Sequence, residues 1–398
     1  MIKRITTVST LLGSLLMAEA LEYKGNVSLE SAYWSHDLEQ KRESQMALHL
    51  EGEATYKIDE NKKVVAKVKG IYDANDGKRR YFDFNDLYFQ HSFENSNFLI
   101  GRNTRFWGAM EFYNHTDNFN TKDWADDPFD YESKLGAWNM AYTYYLDDAE
   151  ISIIAKFYEE EQGVAESRSI NNFMPSNYSS NLATQRDRSN PTVYLKYDAS
   201  IEGKQIDYSI IYQNGYDEQR YLTPVNSLDV NSSLQQRAYL VDKVMGYATW
   251  VNGSTIYKTE LAYTYSGTSL VADYAQGSLG VEHTLYGMWK KMDLGLLAEY
   301  YKYKTFEKRK LNAKDFGKIF DDDLALGFRL SLNDIQSSEV LGGVDIDRHN
   351  SEKIYFVEYE TRLQDKYKLG VKVQHLAPKK DSLFHDIDTV MVELGYHF

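Results

Sequence analysis

Residues 106–134, FWGAMEFYNHTDNFNTKDWADDPFDYESK, carry seven carboxylates against two lysines, Lys122 and Lys134. The acids are Glu111, Asp117, Asp123, Asp126, Asp127, Asp130 and Glu132. Carboxylates at this density either attract cations through their summed field or hold one cation as ligands. The order DWADDPFD lacks the D-x-D-x-D-G run that wraps a calcium ion, so no metal ligand set is assigned. The alternative is a surface loop whose acids face water. Other chemistry is missing. The nine histidines are scattered, there is no cysteine, and neither H-E-x-x-H nor G-x-S-x-G occurs. No catalytic residue, cofactor or nucleic-acid partner is expected.

The elements that must position those acids alternate with period two. The chain ends on VMVELGYHF, where Val390, Val392, Leu394, Tyr396 and Phe398 share one face of a strand. The same pattern recurs in Met46-Leu48-Leu50, Trp138-Met140-Tyr142-Tyr144, Leu294-Leu296-Ala298-Tyr300 and Leu324-Leu326-Phe328-Leu330. On the polar faces stand Arg329, Glu358, Glu360, Arg362 and Lys372, with opposite signs on neighbouring strands. No amphipathic helix stands out, and no stretch reaches the roughly 18 apolar residues of a membrane helix. Low mean hydropathy (−0.56) still allows a transmembrane barrel, because only alternate residues meet lipid.

About eighteen strands can be counted, at roughly 9–11 residues each, or sixteen if the segments near Val27–Tyr33 and Phe98–Arg105 are not strands. Connections after even strands are short and most of those after odd strands are long, including 106–134, 159–190, 213–236 and 304–323. The exception is 347–353. VNGST (251–255) reads as a type I′ hairpin. The expected fold is all-β: a closed antiparallel transmembrane β-barrel spanning residues 21–398. Before it, Lys3 and Arg4, the apolar run 8–17 and Ala18-Glu19-Ala20 read as a secretory signal peptide over 1–20.

With that leader, the alternating strands and the final ELGYHF, the sequence resembles the porin-type outer-membrane proteins of Gram-negative bacteria. The resemblance implies short periplasmic turns, long extracellular loops, an outer-membrane location surrounded by lipid, and assembly as a homotrimer or a monomer. It implies that Tyr396 and Phe398 form the signal read by the barrel-assembly machinery. In trimeric diffusion porins the third extracellular loop narrows the lumen, and 106–134 holds that place here. The expected constriction residues are then Glu111, Asp117, Asp123, Asp126, Asp127 and Asp130 on the loop, with Arg329, Glu358, Glu360, Arg362 and Lys372 on the wall. The expected function is passive diffusion of small hydrophilic solutes or ions, with a cation preference. The alternatives are a channel for one solute class, such as a saccharide or acidic polysaccharide, and a structural or adhesive barrel.

Overall fold

The structure, a computed structural model, describes residues 21–398 apart from 37, 39, 128, 129, 131, 227, 228, 230, 231, 269, 307–313, 316–319 and 380–385. The expected signal peptide, 1–20, lies outside the described residues.

Eighteen strands form one sheet. They are β1 (Leu21–His36), β2 (Ser44–Lys57), β3 (Lys62–Asp73), β4 (Arg80–Ser92), β5 (Ser96–Asn103) and β6 (Ala137–Tyr145). Next come β7 (Ala149–Lys156), β8 (Thr192–Ile201), β9 (Ile206–Tyr216), β10 (Leu240–Asn252), β11 (Thr255–Ser266) and β12 (Tyr274–Gly287). The last six are β13 (Met292–Thr305), β14 (Asp322–Ser331), β15 (Glu339–Asp347), β16 (Lys353–Leu363), β17 (Tyr367–Ala377) and β18 (Ile387–His397). Each pairs antiparallel with the next, and β18 pairs with β1 in the register Leu29↔Leu394, so the sheet has no open edge. Closure is what a bilayer demands, since an unpaired edge in lipid costs several kcal/mol per polar group. Both of the weakest segments are strands, which fixes eighteen over sixteen.

The seam is tight at the carboxyl terminus. Gly25 N–H donates to the Phe398 carbonyl at 2.9 Å, and Phe398 N–H donates back to Gly25 at 3.0 Å. The Phe398 ring lies over Gly25, where a Cβ would sit only 2.4 Å from Cζ. A side chain at that position would push the Phe398 ring aside. Tyr396 stacks on Phe398, with ring centroids 6.2 Å apart.

The outward face is the alternating apolar set. Leu48, Leu261, Leu279, Val357, Val392 and Leu394 are all exposed, as lipid-facing residues must be. Aromatic rings mark the short-turn end of this band: Tyr23, Trp250 stacked on Tyr257, Tyr286, Trp289, Tyr367 and Tyr396. Among the described residues no helix is long and apolar enough to cross a membrane.

Turns after even strands are short, with one modification to the expected chemistry. The β10–β11 turn consists of Gly253 and Ser254, because Asn252 pairs with Thr255. Only Gly253 takes a positive φ, 59°. That is the pattern of a type II′ turn, not the expected type I′. The sorting of lengths is carried by four excursions, 104–136, 157–191, 217–239 and 306–321. Turn 332–338 is as long as the opposite loops 37–43 and 267–273. The excursions build structure of their own. Strands Tyr178–Thr184, Leu234–Ala238, Tyr221–Pro224 and Lys314–Asp315 form a four-stranded sheet, and Asp123–Trp124 pairs in parallel with Gly163–Val164.

Candidate channel constriction

The loop between β5 and β6 enters the barrel because it carries a core of its own. Trp107 and Phe119 pack with Tyr194 (centroids 5.2 and 5.4 Å) among the inward residues Leu99, Ala137, Ala141, Ile154, Ile211, Met245 and Ala262. These come from β5 to β11. Their contact is a hydrophobic core inside the barrel, so this wall is closed to solvent.

The tip is fixed by two wall carboxylates. Glu260 of β11 accepts from the N–H groups of Ala109 (2.7 Å) and Thr116 (3.1 Å). Glu299 of β13 accepts from the N–H groups of Glu111 (2.9 Å) and Phe112 (3.2 Å), and from the Tyr301 hydroxyl. Tyr301 in turn accepts from Tyr113 N–H at 3.1 Å. Both carboxylates are fully buried, and backbone N–H groups are the partners that satisfy a buried anion. Beyond them Phe112 meets Phe356 of β16, ring centroids 5.7 Å apart. Gly327 and Gly343 give it room, since a Cβ there would lie 3.0 and 3.1 Å from its ring.

The loop acids are largely engaged. Glu111 receives Lys258 at 2.9 Å and Arg329 at 3.0 Å. Burial would raise its carboxyl, but those two cations hold it below the ordinary range. Asp117 pairs with Lys134 at 2.5 Å. Asp126 pairs with Lys69 at 2.5 Å and with Arg79 at 3.1 Å. Burial opposes that charge, yet Lys69 and Arg79 pull the carboxyl down to about 2. Asp123 accepts from the Tyr81 hydroxyl at 2.9 Å, and burial together with Asp126 raises it. Asp130 still touches water. The surrounding protein nevertheless pushes its carboxyl up to about 6, against a hydrogen bond from Glu132 N–H and with help from Asp127 and Glu132. Asp127 and Asp130 lie within electrostatic reach of Lys372. His115 is buried and neutral, its pKa lowered to about 3 by burial and by Lys243.

On the opposite wall the expected residues remain wet. Glu358 pairs with Lys372 at 3.0 Å and Glu360 with Lys368 at 2.7 Å. The Lys372 and Glu358 side chains keep 26% and 32% exposure, so water reaches the inner face of β16 and β17, while Glu260 of β11 is fully buried. Arg329 joins Glu111 to Glu339 (3.4 Å). Arg362 sits beside Lys368 in register at the short-turn end, away from the loop. A cavity of about 410 Å³ is lined by Phe106, Gly108, Ala109, Met110, Glu111 and Glu132. Among the described residues no group of acids and histidines has the arrangement of a metal site.

Two features escaped the sequence reading. The anchors Glu260 and Glu299 fall on polar faces, but nothing in their spacing marks them as partners of loop amides. A buried ion network joins Lys156 to Glu159 (3.1 Å) and Glu218 (2.6 Å), Arg220 to Glu159, and Lys243 to Asp217 (2.7 Å). It ties the 157–191 and 217–239 excursions to β7 and β10. Tyr301 points inward and is fully buried, whereas its neighbour Tyr300 faces out.

No family model matches the sequence, and no curated protein does either. Solved structures do. Pseudomonas aeruginosa OccK11 (OpdR) superimposes with a TM-score of 0.57 at 10% identity, covering 96% of each chain. OccD3 (OpdP) of the same organism gives 0.56 at 8%, over 96% of this chain and 92% of that one. Pseudomonas putida OprB gives 0.52 at 10%, over 97% and 96%. The fold is that of the porin-type outer-membrane barrels. At such identities the likeness concerns the path of the chain, and the lumen must be read from its own residues.

Proposed function

We propose that this chain is an outer-membrane channel for passive passage of small hydrophilic solutes or ions, with 104–136 as its constriction. The long loops then face outward and the short turns the periplasm. The observation that carries this is the loop laid across the lumen and latched to Glu260 and Glu299, leaving a charged, wet passage along β16 and β17. A purely structural barrel has no need of a hydrated strip of Glu358, Glu360, Lys368 and Lys372. Engagement of Glu111, Asp117 and Asp126 with lysines and arginines removes much of the loop's excess negative charge. A cation preference therefore rests on Asp130 and Glu132, and is modest. Tyr396 and Phe398, both exposed beside the seam, suit recognition by assembly machinery.

Reversal potentials across planar bilayers under a salt gradient test this reading. Weak cation preference that fades as salt rises is expected, because screening acts over about 8 Å at physiological ionic strength. Absence of any conductance rejects the channel.

A further inference from the structure

The cavity of about 410 Å³ at the constriction loop has two chemically different sides. One is apolar, made by the Phe106 ring, 49% exposed, together with Gly108, Ala109 and Met110. The other is acidic, made by Glu111 and Glu132. The volume falls among those of small-molecule sites, about 300–1,000 Å³. What such a cavity can hold depends on which of the charges around it are still open.

Glu111 is closed, since it receives both Lys258 and Arg329. Those cations are committed in turn, Lys258 also to Glu282 at 3.1 Å and Arg329 to Glu339 at 3.4 Å. Lys134 lies over the Phe106 ring at 5.1 Å, but its ammonium belongs to Asp117. Glu132 is different. It is exposed, and among the described residues its carboxylate joins no ion pair. Its backbone N–H donates to Asp130 at 2.8 Å, which keeps a second carboxylate close by. An anion therefore meets no uncommitted positive charge in this lining. A small hard metal ion needs about six oxygen ligands, and one open carboxylate does not supply them. An ammonium on an apolar body matches both sides at once: its charge faces Glu132, and its hydrocarbon lies against Phe106, whose ring face attracts cations.

We propose that this cavity is a binding site for small monovalent organic cations, compounds that carry an ammonium on a compact apolar body. Glu132 supplies the counter-charge and Phe106 the apolar and cation-attracting surface. The proposal deepens the channel reading and rests on 104–136 lying in the lumen, but binding itself requires no conduction.

The test uses the purified full chain in a nonionic polyoxyethylene detergent, titrated with choline and followed by broadening of the choline methyl signal in proton NMR. Saturable binding is expected. It should weaken about three-fold in Glu132→Gln and in Phe106→Leu, the size of one exposed ion pair and of one exposed cation–π contact. Glu202→Gln, in the exposed β8–β9 turn, should bind as the unaltered chain does. Heat-modifiable migration on gels confirms that each variant folds, and should Phe106→Leu misfold, Glu132→Gln decides alone. Equal binding of choline's uncharged isostere, with carbon in place of nitrogen, overturns the proposal. So does unaltered binding by folded Glu132→Gln. A barrel that conducts in bilayers without binding choline loses this site and keeps the channel; one that binds choline and never conducts loses the channel and keeps the site.

Discussion

Replacing Glu260 by glutamine tests whether wall carboxylates hold the constriction in place. Glu260 is fully buried and accepts two loop N–H groups, at 2.7 and 3.1 Å. Glutamine keeps the volume, but its amide nitrogen must then face one of those donors. One charge-assisted hydrogen bond is lost, at a cost of about 1.5–3 kcal/mol. Taking about 2 kcal/mol, the population with the tip detached rises roughly thirty-fold. The second latch, Glu299, remains, so the release is partial: Ala109 and Thr116 loosen while Phe112 stays against Phe356. Single-channel recordings should show noisier open currents and added steps of larger conductance. Glu260→Gln/Glu299→Gln should exceed the sum of the single variants, because both act on one loop segment. Unchanged conductance and noise in the double variant would refute the latch.

Cation preference should strengthen between about pH 5 and about pH 7, because Asp130 loses its proton as pH rises through about 6. Reversal potentials measured at the two pH values check this, and Asp130→Asn should flatten the difference. Asp126→Asn removes the carboxylate that pairs with Lys69, while Arg79 keeps Asp73 and Glu30. It should shift selectivity toward anions less than Asp130→Asn does, read by the same potentials. Deleting Phe398 removes the paired hydrogen bonds to Gly25 and the ring above it, so less heat-modifiable barrel should appear on gels. Full assembly of that truncation would count against the seam as the assembly determinant. Trypsin on intact cells should cut at exposed Arg186 and spare Lys204 in the β8–β9 turn. Cleavage of Lys204 alone would reverse the orientation.

The barrel was legible in the sequence because lipid on one side and water on the other impose a strict period of two. Met46 to Tyr56 and Val390 to Phe398 expose their odd or even members as the alternation requires. The strands of β1 and β5 were hardest to read, since Asn26, Ser28, Gly101 and Asn103 interrupt the apolar rhythm, yet closure requires them as partners of β18 and β6. Turn chemistry was half legible: the position at Asn252-Gly253 was right and the turn type was not, because the last pair falls at Asn252–Thr255.

The acids of 106–134 illustrate what local sequence determines and what it leaves to tertiary structure. Composition fixes how many carboxylates the loop carries, and hence a field of negative sign. Which of them remain available to a solute depends on Lys69, Arg79, Lys258 and Arg329, distant in sequence and delivered by four separate parts of the chain. Likewise Glu260 and Glu299 read as ordinary wall charges until the loop amides arrive. Alternation is a property of neighbouring residues, so one strand suffices to reveal it. Pairing across a lumen is a property of curvature and register, and exists only once the barrel has closed.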